Sequence, residues 1–284
     1  MKPNATARTK RKIRAQYTAA AERLNGHNNS VQVKRRLLVA LGYPAEDLDR
    51  IPSATIEHTF ACGNPLLTTP IRPHDTIVDL GSGAGLDCIL LANRLNGQNR
   101  VVGLDITPAM VSRARRYAAA AGKLHIQFGV GDAEALPLGD ATANVVLSNG
   151  AICLVGDKEK AFREVFRVLR GGGRLAVTDL LHTGPRFIRQ LTYRLCGAMT
   201  VASPADYQAM VAAAGFEDVI IHCRRVVRID EAASLWGVRP FIRFLARLGS
   251  RRVFRPVANR LLRGMSTIHL TAVKPPVGEK TLST

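Results

Sequence analysis

Short apolar strands alternate with helices through the middle of the chain, and this alternation limits the fold more than any other feature. The predicted elements are strands at 76–80, 101–105, 125–130, 144–148 and 174–179, with helices at 86–95, 107–121 and 158–169. Five alternations of this length predict a parallel, doubly wound α/β sheet.

The segments before and after this sheet have a different pattern of predicted elements. Helix formers predict helices at 8–24 and 31–41, followed by a Pro- and Thr-rich connector. Late strands are predicted at 219–227 and 268–273. We therefore divide the chain into three predicted parts: an N-terminal helical cap and connector at 1–70, a ligand-binding α/β domain at 71–230, and a basic amphipathic lid with the final strand of the sheet at 231–284.

A glycine-rich turn, Gly-Ser-Gly-Ala-Gly at 81–85, joins the first strand to the first helix of the sheet. Glycines at such a turn let backbone amides approach a ligand that side chains would block. The turn is one residue tighter than the Gly-x-Gly-x-x-Gly pattern that favours a pyrophosphate. Asp79, just before it, suits a cationic ligand, and its carboxylate can meet the α-ammonium group of S-adenosylmethionine.

Polar side chains also follow the next three strands, at the edge where open α/β sheets bind ligands. Asp105 suits the ribose hydroxyls, Asp132 suits the adenine amino group, and Asn149 closes the crevice. Together these positions favour S-adenosylmethionine over a structural turn or an NAD(P) site. The candidate cofactor-binding residues are Asp79, Gly81, Ser82, Gly83, Gly85, Asp105, Ile106, Asp132, Ala133 and Asn149.

Several motifs resemble class I S-adenosylmethionine methyltransferases, and the arsenite methyltransferase branch in particular. They include Leu-Gly-Tyr-Pro at 41–44, Cys-Gly-Asn-Pro at 62–65, Asp-Leu-Gly-Ser-Gly-Ala-Gly at 79–85 and Gly-Leu-Asp-Ile-Thr-Pro at 103–108. The likeness covers roughly residues 40 to 225, and the first two motifs are the more specific ones. It implies a Rossmann-like domain with N-terminal helices and a C-terminal helical lid, S-adenosylmethionine as cofactor, and methyl transfer as activity.

The resemblance also indicates where an acceptor would bind. That family holds trivalent arsenic on cysteine thiolates, and two of them correspond to Cys62 and Cys196. A third directly follows Ser-Asn after the fourth strand, where this chain has Gly150, while Cys153 is a candidate replacement three residues further on. A soft trivalent centre needs two or three converging thiolates. We therefore predict an altered acceptor pocket, with Cys62, Gly150 and Cys196 as substrate-binding positions.

The predicted acceptor is a small organic molecule, such as a biosynthetic intermediate, because Gly150 is expected to leave open space in the pocket. Methylation of trivalent arsenicals through Cys62 and Cys196 is the alternative. An alcohol or amine acceptor requires a general base, whereas a soft acceptor does not. His182 after the fifth strand and Tyr17 on the first helix are the candidate catalytic residues, although each also suits an ordinary structural role.

The remaining cysteines and histidines give no further site. His58 and Cys62, four residues apart, could share a helix face, but two ligands make a poor metal site, and no metal is predicted. Cys88 and Cys223 are expected to be structural. Five scattered cysteines do not indicate a disulfide framework. Without an apolar run of about 18 residues or a secretory signal, a cytoplasmic location is predicted.

The formal net charge of +18 gathers at the two ends of the chain. A basic amphipathic helix is predicted at 238–248, and it suits either a lid packed on the core or peripheral contact with an anionic membrane. A nucleic-acid partner is disfavoured, because Ser-Asn-Gly-Ala at 148–151 replaces the Asn/Asp-Pro-Pro-Tyr motif of base-amino methyltransferases. A basic binding protein without turnover is a further alternative. The sequence does not indicate an oligomeric state.

Overall fold

The computed structural model describes residues 5–23, 28–95, 97–184, 202–227 and 264–276. Cys196 and the predicted amphipathic helix at 238–248 lie outside these residues. Their proposed roles, like the three-part division of the chain, therefore stay predictions.

The N-terminal part is helical, as expected from its composition. It contains α1 (Ala5–Arg23), α2 (Asn28–Ala40), α3 (Ala45–Leu48) and α4 (Ser53–Glu57), followed by a 3-10 turn at Pro65–Leu67. Helix α4 ends at Glu57, so His58 and Cys62 do not share a helix face. That part of the sequence interpretation is wrong, because the chain is already irregular between the two residues.

The described strands form one seven-stranded sheet in the order β3-β2-β1-β4-β5-β7-β6. They are β1 (Thr76–Leu80), β2 (Arg100–Asp105), β3 (Gln127–Val130), β4 (Ala143–Asn149), β5 (Leu169–His182), β6 (Glu217–Val226) and β7 (Met265–Val273). Strands β1 to β5 are parallel, whereas β7 runs antiparallel to both β5 and β6. The predicted doubly wound α/β sheet is therefore confirmed.

Helices cover both faces of this sheet, and the sheet separates the core into two apolar layers. They are α5 (Leu86–Arg94), α6 (Pro108–Ala120), α7 (Lys158–Val168) and α8 (Pro204–Ala213). Strand β1 pairs with β2 on one side and with β4 on the other. The chain thus reverses its direction of winding next to β1, and a crevice forms at the carboxyl ends of the two strands.

Strand β6 is the outer edge of the sheet. Ile220 and Val226 on this strand are half exposed, and Cys223 is exposed. Cys223 therefore lies in a strand, as expected, but its side chain is exposed, which does not fit the structural role expected of it. No described helix is both long enough and apolar enough to span a bilayer.

Candidate functional site

A crevice of about 1010 Å³, including the space that opens to solvent at its mouth, lies above the carboxyl ends of β1, β2 and β4. Nine of the ten predicted cofactor residues line it. They are Asp79, Gly81, Ser82, Gly83, Asp105, Ile106, Asp132, Ala133 and Asn149. The tenth, Gly85, does not line the crevice; it adopts φ +87 at the start of α5, where a Cβ would lie 3.0 Å from the Phe128 ring. Its role is conformational.

The glycine turn folds tightly against its neighbours. The N–H groups of Gly81 and Ser82 both donate to the carbonyl of Leu104, at 2.7 and 3.0 Å. Gly81 has φ +80, and a Cβ there would lie 2.2 Å from the Cβ of Ala151. Only glycine therefore fits between the turn and the segment that follows β4.

Asp105 connects the glycine turn to the end of β2. Its Oδ2 accepts from the Gly83 N–H at 3.0 Å, and its Oδ1 accepts from the Thr107 N–H at 2.8 Å. Burial raises the pKa of this carboxyl group, and the hydrogen bonds from Thr107 and Gly83 oppose that shift. The carboxylate is thus fixed in orientation at the crevice floor, where its remaining lone pairs suit a ribose diol.

Two further carboxyl groups, Asp79 and Asp87, are buried side by side in the crevice. Asp79 accepts from the Cys88 thiol at 3.3 Å, and Asp87 accepts from the Tyr43 hydroxyl at 2.8 Å. Burial is the main cause that raises the pKa of both groups, and the charge of Asp87 raises that of Asp79 further. No lysine or arginine among the described residues forms an ion pair with either one. This end of the crevice therefore favours a cationic ligand.

The opposite end of the crevice is bridged by α1. Lys10 Nζ lies 2.6 Å from Asp132 Oδ2 and 2.6 Å from Glu134 Oε2. Arg14 Nε also donates to the carbonyl of Ile106 at 3.1 Å. The sequence analysis did not identify Lys10, since it lies within a long run of cations with nothing to distinguish it.

Asn149 lines the crevice, and its side chain also forms hydrogen bonds that connect several segments of the protein. Its Oδ1 accepts from the Cys62 N–H and the Thr178 hydroxyl, both at 2.8 Å. Its Nδ2 donates to the Tyr43 hydroxyl at 2.9 Å, the Gly63 carbonyl at 2.9 Å and Asp87 Oδ2 at 3.0 Å. The side chain therefore holds the Cys62–Gly63 segment onto β4 and β5, and its amide group is engaged within the protein.

Gly150 lines the crevice, but the space next to it is filled. It adopts φ +72, and a Cβ built there would lie 2.9 Å from Cys62 Sγ and 3.2 Å from the carbonyl oxygen of Phe60. The expected open space at this position is thus absent, because the buried Cys62 side chain occupies it. The Cys153 thiol also contacts this residue and donates to the Gly150 carbonyl at 3.5 Å.

The two candidate catalytic residues have different positions. Tyr17 on α1 lines the crevice and packs edge-on against Phe60, with 5.4 Å between ring centroids. His182 is buried at the end of β5, where its Nδ1 accepts from the Gly184 N–H at 2.9 Å, and it does not line the crevice. His58, which the sequence analysis did not identify as a candidate catalytic residue, also lines the crevice. A lone histidine in the sequence gives no signal of such a position.

The relatives of this chain among known proteins include methyltransferases that act on different substrates. Over 187 residues the chain is 38% identical to an arsenite methyltransferase of Halobacterium salinarum, an alignment that covers 64% of this chain and 47% of the relative. It is 41% identical over 103 residues to a demethylmenaquinone methyltransferase of Thermus thermophilus, covering 36% of this chain and 46% of the relative. The chain thus spans about half the length of these relatives.

Solved structures include proteins that share the fold of this chain. An arsenic(III) S-adenosylmethionine methyltransferase from Chlamydomonas reinhardtii superposes with a TM-score of 0.57 and 22% sequence identity, covering 87% of this chain and 74% of the other. The family model described as a methyltransferase domain matches residues 71–214, which include the glycine turn and every strand-end acid of the crevice. The chain therefore belongs to the methyltransferase domain family.

Proposed function

We propose that this protein is an S-adenosylmethionine-dependent methyltransferase whose acceptor is a small organic molecule. The donor half of the proposal is supported by charge. Asp79 and Asp87 are buried and form no ion pair with a described lysine or arginine. A ligand with sulfonium and ammonium groups offsets the desolvation of both carboxylates, so the residues of the crevice fit this cofactor.

Each part of the donor has suitable residues in the crevice. Asp79 and Asp87 would hold its cationic amino-acid end, Asp105 its ribose hydroxyls, and Asp132 with Ala133 its adenine. When bound, the donor supplies an electrophilic methyl group. The protein aligns the acceptor with that group and excludes water from the reaction.

The acceptor half of the proposal depends on one observation, the contact between Gly150 and Cys62. In the family that the sequence resembles, a third arsenic-binding thiolate occupies position 150. Here the position has no side chain, and the Cys62 sulfur would lie only 2.9 Å from any Cβ placed there. The crevice is also lined by apolar side chains, among them Ile13, Phe60 and Leu154. An apolar wall with few polar groups suits an organic molecule.

Radiolabelled methyl donor tests this proposal directly. The protein is incubated with the donor and a small-molecule extract, and in parallel with arsenite plus glutathione. We expect label in an organic product and none on arsenic. Replacement of Asp105 by Ala should abolish both S-adenosylhomocysteine binding and transfer. Donor binding without transfer to any fraction would contradict the proposal and favour a binding protein without turnover.

Trivalent arsenicals are the second candidate acceptor, and one observation favours them. The Cys62 and Cys153 thiols both lie next to Gly150, and soft trivalent arsenic binds thiolates. Label on arsenic that disappears in Cys62→Ser, but persists in the exposed control Cys223→Ser, would establish this alternative and overturn the first. Cys196→Ser would then test the predicted second ligand.

A further inference from the structure

His58 occupies an unusual position in the wall of the crevice. Its side chain is only 2% exposed, and it lies at the end of α4 between α2 and α6. Its Nδ1 is 2.8 Å from the carbonyl oxygen of Ala54 and 3.3 Å from the Tyr117 hydroxyl. A carbonyl oxygen can only accept, so Nδ1 carries the proton and donates it to Ala54.

This bond fixes the tautomer of the ring. In a neutral imidazole with the proton on Nδ1, Nε2 keeps its lone pair and acts as an acceptor. The Nε2 atom of His58 is buried and has no hydrogen-bond partner among the described residues. A buried acceptor without a partner carries a free-energy cost. A ligand that brings an O–H or N–H group to this nitrogen removes the cost.

The surroundings favour the neutral form of the ring. Burial is the main cause that lowers the pKa of His58, and the charges of Arg113 on α6 and Lys34 on α2 act in the same direction. The Ala54 carbonyl and the charge of Glu57 oppose the shift. Tyr117 faces the ring from α6, with ring centroids 5.8 Å apart. His58 lines the crevice, with its Nε2 buried in the wall, and a neutral ring there can still take up a proton.

We propose that Nε2 of His58 binds the methyl acceptor through an O–H or N–H group and accepts the proton of that group. The inference rests on the proposed function and narrows it, because the acceptor becomes a hydroxyl- or amine-bearing compound. In the step, the O–H or N–H bond breaks and the proton moves to Nε2. The electron pair remains on the acceptor oxygen or nitrogen, and the ring becomes an imidazolium. Neutral imidazole is thus a reactant, and imidazolium is its product.

Two variants separate the two parts of this role. His58→Asn keeps an N–H group that can donate to Ala54 but removes the acceptor at Nε2. His58→Gln supplies an amide oxygen that can accept a hydrogen bond but cannot take up the proton. The exposed His125→Asn is the matched control. Circular dichroism and thermal unfolding of each variant show whether the fold is intact.

The measurements include one that does not depend on turnover. In ¹⁵N spectra of the protein at neutral pH, His58 should carry its proton on Nδ1, and a proton on Nε2 would overturn the proposal. Calorimetry with S-adenosylhomocysteine should give the same Kd within about twofold for wild type and His58→Asn. A tenfold loss of affinity would instead mean that Nε2 contacts the donor, and would also overturn it.

Transfer of label to the organic fraction completes the test. We expect His58→Asn to lower kcat/KM at least about 100-fold, the size of a general-base contribution. His58→Gln should lower kcat while keeping KM, and the fall in wild-type kcat on acidification should be absent from it. Equal rates in wild type and His58→Asn would refute the role of His58 alone. No transfer by the wild type, or transfer to arsenic only, would remove the proposed function and this inference together.

Discussion

The sulfur of Cys62 and the backbone of Gly150 are in contact, so that a Cβ at residue 150 would lie 2.9 Å from Sγ. The two residues belong to segments that lie 88 positions apart, and Asn149 holds them together through the Cys62 N–H at 2.8 Å. The segment after β4 thus packs against Cys62 at a residue that has no side chain. Its shape depends on the positive φ that glycine permits at this position.

Replacement of Gly150 by Ala should destabilise the protein by more than its backbone conformation alone requires. Gly172 is the matched control, because its φ of +74 is close to the +72 of Gly150 but nothing lies within 4 Å of its Cβ position. We expect Gly172→Ala to lower the free energy of unfolding by about 1 kcal/mol, the cost of left-handed backbone. Gly150→Ala should lower it by a further ~1–3 kcal/mol because of overpacking. Urea unfolding measures both, and equal losses would contradict the contact with Cys62.

Asn149→Asp keeps the shape of the side chain but should strongly destabilise the protein at neutral pH. Nδ2 of Asn149 lies 3.0 Å from Asp87 Oδ2, so the replacement sets a half-buried carboxyl group against the buried one of Asp87. We expect a loss of about 3 kcal/mol in the free energy of unfolding. The folded state holds a proton on this pair more tightly than the unfolded state does, so the loss should shrink as the pH falls.

Asn144→Asp is the control for this change. Oδ1 of Asn144 accepts from the Thr76 N–H at 2.9 Å, and a carboxylate oxygen can replace it in that bond. Unfolding free energies of both variants at pH 8 and pH 5 give the comparison. A loss for Asn149→Asp that is the same at both pH values would count against this carboxyl pair.

Lys34 should make the stability of the protein depend on pH in the alkaline range. It is buried, donates to the Thr59 carbonyl at 3.0 Å, and lies 4.8 Å from the centre of the Phe60 ring. Burial lowers its pKa from 10.5 to about 8. Between these values the unfolded state binds more protons than the folded state, so stability rises with pH; below about pH 8 the buried charge exerts its full cost.

The stability of wild type relative to Lys34→Met should therefore rise by about 2 kcal/mol between pH 7 and pH 9.5. Subtracting the variant cancels contributions from the other titrating groups. Lys160→Met, at an exposed position of α7, provides the baseline. A difference that stays constant or falls with pH would be incompatible with a charged, desolvated Lys34 in the folded state.

Loss of the Lys10 charge should weaken the closure of α1 over the crevice. Lys10→Met keeps the aliphatic stem but leaves Asp132 and Glu134 without the cation that now lies 2.6 Å from each. We expect about 1 kcal/mol lower stability and several-fold weaker binding of S-adenosylhomocysteine in calorimetry. Arg11→Met, exposed on the same helix, is the control. Identical binding by the two variants would show that the ion pairs do not support the site.

Much of the donor side of the crevice followed from the sequence. The glycine turn and the positions of Asp79, Asp105 and Asp132 could be located because side chains after parallel strands reach the same edge of the sheet. That reasoning needs only the order of strands and turns along the chain. Gly150 and Tyr17 came instead from the resemblance to a methyltransferase family.

Only the tertiary structure decided which other residues join them. Lys10 reaches Asp132 across 122 positions, Tyr43 reaches Asp87 across 44, and Tyr117 faces His58 across 59. No periodicity or local motif specifies such contacts, because they depend on how helices dock on the sheet. For the same reason the space beside Gly150, which the sequence predicted to be open, is filled by the sulfur of Cys62. The chain order determined where the ligand edge lies, and long-range packing determined what that edge can bind.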